Sequence, residues 1–318
     1  MLHAKRPNDA AVTGVRFAGW GIAVPDRIVT NEELSRTLDT TDEWIFERTG
    51  IRERRVGGSS TLLGRQAAER ALADARYQAA DIDFVILATT TPDRLIPASA
   101  PVIAAELGIT APAIDLNAAC SGFMYAVRVA QGLLATGHQR ILVIGAEHLS
   151  RWTDWNDRTM AVLLGDGAGA AVLEASAENQ ILASDLGSDG SLVHLLTCEH
   201  GGTIWMDGKE IFRRAVRVMV DSAERAMASA GITADQLSLV IPHQANVRII
   251  NAACDRLGIP TEKAVVVLDR YGNTSSASIP LAVHDARETG RLANGDLVLF
   301  TGFGAGMTWA SSVVRWRA

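Results

Sequence analysis

The chain has 318 residues, 48% of them hydrophobic and 21% charged, with a net charge of −6 at pH 7. That size and balance build a substantial buried core, and the acidic balance without a long basic run excludes nucleic-acid binding as a main task. No apolar run approaches membrane-spanning length, and the start "MLHAKRPNDAA" lacks the apolar middle of a signal peptide, so residues 1–11 are expected as a flexible tail on a cytoplasmic protein.

The first predicted strand is 83–89 ("DFVILAT"), followed by 113–116 ("AIDL"), 140–146 ("RILVIGA") and 169–175 ("GAAVLEA"). A second set reads 238–243 ("SLVIPH"), 264–268 ("AVVVL"), 296–302 ("DLVLFTG") and 310–316 ("ASSVVRW"). Helical patterns lie between many of them, which predicts a layered α/β fold with sheets covered on both faces.

The two sets repeat one another. "AERALADARYQAADIDFVIL" (68–87) aligns without a gap on "AERAMASAGITADQLSLVIP" (223–242), setting Ile82, Phe84, Val85 and Ile86 against Leu237, Leu239, Val240 and Ile241. "LGI" at 107–109 recurs at 257–259, and "TG" at 136–137 recurs at 289–290. A period this long is not that of a solenoid; it predicts one fold duplicated, with halves 12–178 and 179–318. The first half carries an insertion at about 149–164, with Trp152, Trp155 and Arg158.

Three cysteines, Cys120, Cys198 and Cys254, are scattered without C-x-x-C spacing, so they read as free thiols rather than a disulfide framework or a zinc site. Cys120, in "LNAACSGFMYA", follows a strand and precedes a helix whose stripe is Phe123, Val127 and Ala130. A cysteine at a helix N-terminus is expected to have a lowered pKa; a packed, inert cysteine fits the same segment. His243 in "PHQAN" follows the equivalent strand of the second half, where it is either functional or a helix cap. Asn273 in "YGNTSS" lies in a turn, where asparagine is common, but the repeat sets its loop within a residue or two of the Cys120 loop. Ligands gather at the carboxyl ends of strands in α/β folds, so the three side chains are expected to converge.

A Cys/His/Asn set supports acyl transfer by a nucleophilic thiol. A cysteine hydrolase uses the same types, but the duplicated sheets and the lack of a water-activating arrangement speak against it. "GFGAGMTW" (302–309) permits a tight turn whose backbone N–H groups approach a thioester, and it reads equally as a hairpin turn. "GDGAGA" (165–170) is not a dinucleotide fingerprint, because "AAVLEA" behind it reads as a strand and not as a helix.

The motifs "TTDEWIFERTGIRERR" (40–55), "DLNAACSGF" (115–123), "DWNDRTMAVLLGDGAGAAVL" (154–173), "MDGKEIFRRAV" (206–216), "IPHQANVRII" (241–250), "DRYGNTSSASIP" (269–280) and "GFGAGMTWAS" (302–311) resemble β-ketoacyl-acyl carrier protein synthase III, of the thiolase superfamily. The resemblance runs from about Val12 to the C-terminus and implies a thiolase-like five-layered αβαβα fold. It implies that Cys120 takes an acyl group from acyl-CoA, and that His243 and Asn273 bind the thioester carbonyl of malonyl-acyl carrier protein as CO₂ leaves. The backbone N–H groups of Cys120 and Ala305 would form the oxyanion hole; the family often has glycine at the latter position.

The same resemblance implies that Trp44 and Arg158 sandwich the adenine of coenzyme A, with Arg48 near its phosphates. Gly208, Phe212 and Asn246 would line the pantetheine channel. Arg213, Arg217, Arg248 and Arg256 would face the acidic carrier protein, although Asp255 sits where the family is often basic. Ile96 and Leu164 stand where some members have phenylalanine, which implies an acyl pocket open to branched or longer primers. No metal and no cofactor are implied, coenzyme A thioester being a substrate, and a homodimer is. The pathway reading is type II fatty acid synthesis, with a starter-unit ketosynthase or acyltransferase of polyketide or antibiotic assembly as the alternative. A non-catalytic acyl-CoA-binding relative has no reason to keep Cys120 and His243 together.

Overall fold

In a computed structural model, which describes residues 14–317, the Val-, Ile- and Leu-rich runs form two sheets; the expected tail at 1–11 lies outside the described residues. The first sheet contains β1 (Gly14–Ala23), β2 (Phe84–Ala88), β3 (Ala113–Leu116), β4 (Arg140–Glu147) and β5 (Gly167–Ser176), in the order β1-β5-β4-β2-β3. The second contains β6 (Ile181–Ser188), β7 (Leu239–Pro242), β8 (Leu297–Gly304) and β9 (Thr308–Arg315), in the order β7-β8-β9-β6. β2 is parallel to β3 and β4, and β7 is parallel to β8; the other pairs are antiparallel. Superimposing the two orders sets β1 on β6, β2 on β7, β4 on β8 and β5 on β9, which is the duplication in three dimensions.

Two differences from the sequence reading concern strands. β1 and β6 are edge strands that the apolar-run criterion misses. β1 is interrupted by Gly14, Gly19 and Gly21, and β6 ("ILASDLGS") carries polar residues. Conversely, 264–268 is not a strand. It makes one isolated bridge, Val240 to Ala264, and then leaves the sheet. The buried Gln244 side chain takes over the ladder's role: Nε2 donates to Val265 O at 3.0 Å, and Oε1 accepts from the N–H groups of Val267 and Leu268 at 2.8 and 3.2 Å.

Helices fill three layers around the two sheets. α2 (Ser60–Ala75) and α3 (Ser99–Glu106) cover the outer face of the first sheet; α1 (Asp42–Thr49) lies apart from them. α4 (Gly122–Ala135) and α7 (Ser278–Glu288) sit between the sheets, and α5 (Gly208–Ala230) and α6 (Val247–Leu257) lie on the far side of the second. The α4 stripe of Phe123, Val127 and Ala130 is buried in one core with Phe300 and Val314 of the opposite sheet. This is the thiolase-like αβαβα architecture. β4 and β5 are joined by residues 148–166, which contain the insertion, and β5 begins at Gly167, inside "GDGAGA", so that motif runs into a strand. Among the described residues no helix is long and apolar enough to cross a membrane.

Candidate active site

The Cys120 and Asn273 loops are copies of one turn. After β3, Asn117 Oδ1 accepts from Ala119 N at 3.1 Å, Ala119 takes φ +48°, a 3-10 turn spans Ala119–Ser121, and α4 begins at Gly122. In the second half Asn273 Oδ1 accepts from Ser275 N at 2.9 Å, Ser275 takes φ +48°, a 3-10 turn spans Ser275–Ala277, and α7 begins at Ser278. Left-handed φ at a non-glycine residue is uncommon and tends to cluster at functional turns. The repeat therefore sets Asn117 on Asn273 and Cys120 on Ser276, an offset the sequence left within a residue or two.

His243 follows β7. Its N–H donates to Thr301 O at 2.8 Å, and the residue is 2% exposed. The end of β8 brings it beside Cys120. Residues two apart on a strand share a face, and Gly302 and Gly304 are such a pair. A Cβ on Gly302 would lie 3.3 Å from His243 Cβ, and one on Gly304 would lie 2.5 Å from Cys120 N. Two missing side chains thus let the imidazole and the Cys120 loop rest on one strand. Asn273 arrives from the other side, its N–H on Leu163 O at 2.8 Å and its carbonyl accepting from Gly165 N at 2.9 Å. Cys120, Asn273, Ala305 and Leu164 share a cavity of about 540 Å³. His243 lies beyond its lining, edge-on to Phe303 at 5.9 Å, with Nδ1 buried and making no hydrogen bond.

Burial sets the electrostatics. It pushes the Cys120 thiol up to about 12, against a hydrogen bond from Ser275. This corrects the lowered value expected from the helix end. Cys120 stands in the 3-10 turn ahead of α4, in a site without a cationic partner, and desolvation of the thiolate outweighs the dipole. Burial pulls His243 down to about 3, so its imidazole is neutral near pH 7. The site therefore offers a thiol, a neutral imidazole and an amide.

On the surface, Arg48 and Arg158 both lie over the Trp44 ring, at 4.4 and 5.0 Å from its centroid. Arg158 also donates to Asp39 O at 2.6 Å. Asn246 caps α6 by accepting from Arg248 N, and its Nδ2 donates to Arg48 O, both at 2.9 Å. Gly208 opens α5, and Phe212 lies 5.8 Å beneath the Arg248 guanidinium. Gly208, Phe212 and Asn246 do not line the cavity. Arg213 pairs with Glu210 at 2.9 Å and Arg217 with Asp221 at 3.7 Å. Arg248 and Arg256 are exposed on α6, with Asp255 exposed beside Arg256.

The structure separates the two residues assigned to an acyl pocket. Leu164 is buried against the cavity, but Ile96 is 87% exposed beside Leu95, on an exposed loop. Sequence reasoning assigned no role to Met160, Leu163 and Trp152 of the insertion, which wall the cavity, or to Ser275 and Glu147 near Cys120. The repeat was the signal for Ser275, since it occupies the place of Ala119. Among the described residues no group of three or more His, Cys, Asp or Glu side chains is placed to hold a metal ion.

Comparison with known proteins gives the same picture. Family models described as 3-oxoacyl-[acyl-carrier-protein] synthase III and its C-terminal region match residues 114–190 and 227–316. The chain is 47% identical to a β-ketoacyl-[acyl-carrier-protein] synthase III of Roseiflexus castenholzii, over 98% of this chain and 99% of that one. It superimposes with a TM-score of 0.93 on the crystal structure of 3-oxoacyl-[acyl-carrier-protein] synthase III from Aquifex aeolicus, at 44% identity over 95% of this chain and all of that one. The corresponding structure from Pseudomonas aeruginosa also gives 0.93, at 41% identity over 96% and 99%.

Proposed function

The chain belongs to the β-ketoacyl-acyl carrier protein synthase III family, and from that premise we propose which of its residues carry the family's reaction. It is a condensing enzyme of the acyltransferase class and catalyses the initiating condensation of fatty acid synthesis. An acyl-CoA primer and malonyl-acyl carrier protein give 3-oxoacyl-acyl carrier protein, coenzyme A and CO₂. The starter-unit reading for a polyketide pathway is not favoured by these relatives.

Cys120 attacks the acyl-CoA carbonyl and keeps the acyl group as a thioester while coenzyme A leaves. The malonyl thioester then places its carbonyl oxygen toward His243 and Asn273. As CO₂ departs, charge develops on that oxygen, and two neutral donors in a dry site stabilise it without quenching the carbanion by protonation. The carbanion attacks the acyl-Cys120 carbonyl, whose oxyanion faces the N–H groups of Cys120 and Ala305, and collapse expels the Cys120 thiolate, which takes up one proton from water to return as the thiol. The observation that carries this reading is the Gly302 and Gly304 end of β8, against which both His243 and Cys120 pack.

Trp44 and Arg158 suit an adenine between them, and Arg48 the phosphates. Because Arg158 already lies over the ring, nucleotide binding would lift its guanidinium away from Trp44. Gly208, Phe212 and Asn246 would follow the pantetheine arm. The working unit would be a cytoplasmic homodimer of chains with halves 12–178 and 179–318, needing no metal or cofactor.

Intact-mass and peptide-mapping measurements with a panel of acyl-CoAs test the nucleophile. The acyl mass is expected on the Cys120 peptide and is expected to vanish in Cys120→Ala; label on another residue contradicts the assignment. Isobutyryl- or longer acyl-CoA should react at least as readily as acetyl-CoA, since Leu164 leaves more room than phenylalanine; strong acetyl preference rejects the primer reading.

Charge reversal tests the carrier face. Arg248→Glu with Arg256→Glu should raise KM for malonyl-acyl carrier protein about tenfold, with acylation by acyl-CoA unchanged and the effect shrinking in high salt. An unchanged KM would move the carrier site elsewhere, with Asp255 as part of the reason.

A further inference from the structure

Glu147, the last residue of β4, is fully buried and hydrogen-bonded to the Ser275–Ala277 turn, which packs against the turn that carries Cys120. Its Oε2 is saturated with donors: Thr91 Oγ1 at 2.6 Å, Thr90 Oγ1 at 3.0 Å, Thr90 N at 3.1 Å and Thr89 Oγ1 at 3.3 Å. Its Oε1 faces Ser276 Oγ at 2.9 Å, and that same hydroxyl lies 3.0 Å from Ala88 O. A hydroxyl has one proton to give, and a carbonyl oxygen only accepts. Ser276 Oγ can give its proton to only one of these two oxygens, so both contacts are hydrogen bonds when Oε1 carries a proton of its own; Oε1 also accepts from Thr90 N at 3.3 Å.

The surroundings agree. The Thr89–Thr91 segment presents only hydroxyls and an amide, the Ser275–Ala277 turn presents Ser275 and Ser276, and the Ala119–Ser121 turn presents Cys120. On its own segment the neighbouring His148 turns its ring to Asp166, 4.0 Å away. No Lys or Arg among the described residues pairs with Glu147, and an ionised carboxylate buried without a cation is costly. Burial accordingly pushes the Glu147 carboxyl up from its ordinary value.

The repeat explains why a carboxyl stands there. Phe84 pairs with Ile141 and Leu239 with Val298, so counting along β4 and β8 sets Glu147 on Gly304. Gly304 clears the space against Cys120; Glu147 fills the equivalent space against Ser276. The second half thus holds a closed copy of the nucleophile turn, filled by Glu147 of the first half.

We propose that Glu147 is a positioning residue that stands as a neutral carboxylic acid with its proton on Oε1, holding the Ser275–Ser276 turn against the Cys120 turn without placing a charge beside the thiol. An anion at this place would oppose thiolate formation; the neutral acid gives the turn the same hydrogen bonds and spares Cys120 that repulsion. The proposal rests on Cys120 being the nucleophile, but its test does not use condensation, so the two fail separately.

Glu147→Gln is the amide isostere of the neutral acid. The infrared spectrum of the unaltered protein is expected to show a protonated-carboxyl carbonyl band that Glu147→Gln removes and Ser276→Ala shifts. The rate of Cys120 alkylation by iodoacetamide against pH should keep its profile in Glu147→Gln, within about twofold, since a removed negative charge would move it by about a pH unit and tenfold in rate. Faster alkylation with a profile shifted to lower pH would show that Glu147 is ionised and overturn the proposal. Alkylation slowed by about tenfold or more would make Glu147 the acceptor of the thiol proton, and would also overturn it. If Glu147→Gln does not fold, the band in the unaltered protein and its shift in Ser276→Ala decide alone; no band, or no shift, contradicts the assignment.

Discussion

Replacing His243 with alanine is expected to leave acylation of Cys120 within about threefold of the unaltered rate while slowing condensation by about 10²–10³-fold, the scale of losing one donor to a developing oxyanion. The division follows from where the imidazole lies and what it can give. It is buried beyond the cavity lining, edge-on to Phe303, and held neutral down to about pH 3. On the proposed mechanism a neutral imidazole would donate to the malonyl carbonyl in the second half-reaction but add no positive charge to stabilise the Cys120 thiolate in the first. Condensation should therefore show no acid limb from His243 between pH 5 and pH 8. Stopped-flow acylation and CO₂ release, measured separately on His243→Ala, decide the matter; equal loss of both steps would reject the division of labour.

Gly304→Ala is expected to cut acylation by about 10²-fold, the scale of a displacement of about 1 Å at a reacting group. The added Cβ would lie 2.5 Å from Cys120 N and 2.9 Å from Ala119 Cβ. Neither is the far end of a flexible side chain. The nucleophile turn must therefore shift, and with it both the thiol and the Cys120 N–H of the oxyanion hole. Gly302→Ala provides the contrast, because its Cβ would meet His243 Cβ at 3.3 Å, a contact a small shift relieves. Its larger effect should fall on condensation. Wild-type acylation in Gly304→Ala would show that the end of β8 does not hold Cys120 in place.

Much of this architecture is written in short-range pattern. The gap-free match of 68–87 on 223–242 anticipates two sheets of common order, because β2 and β7, with the helices ahead of them, are local units whose apolar residues keep step. The convergence of the Cys120, His243 and Asn273 loops follows from the same symmetry. What the sequence conceals depends on partners distant in the chain. β1 and β6 are glycine-interrupted or polar edge strands whose pairing rests on β5 and β9. The segment 264–268 has strand composition, yet Gln244 claims its backbone groups. The thiol of Cys120 looked like one activated by a helix, but burial, invisible in "NAACSG", decides its protonation. Ile96 and Leu164 look alike as apolar residues near glycine and proline, and only the packing separates an exposed loop from the cavity wall.

The central claim is that one thiol, Cys120, carries the acyl group into a decarboxylating condensation assisted by His243 and Asn273. A single turnover tests it most directly: load the enzyme with one acyl-CoA, remove excess, add malonyl-acyl carrier protein, and follow the mass of the Cys120 peptide together with released CO₂. The account predicts that the acyl mass leaves Cys120 in step with an equal amount of CO₂ and appears on the carrier as the 3-oxoacyl product. An acyl group that passes to the carrier without CO₂, or that stays on Cys120 while CO₂ is released, would contradict it.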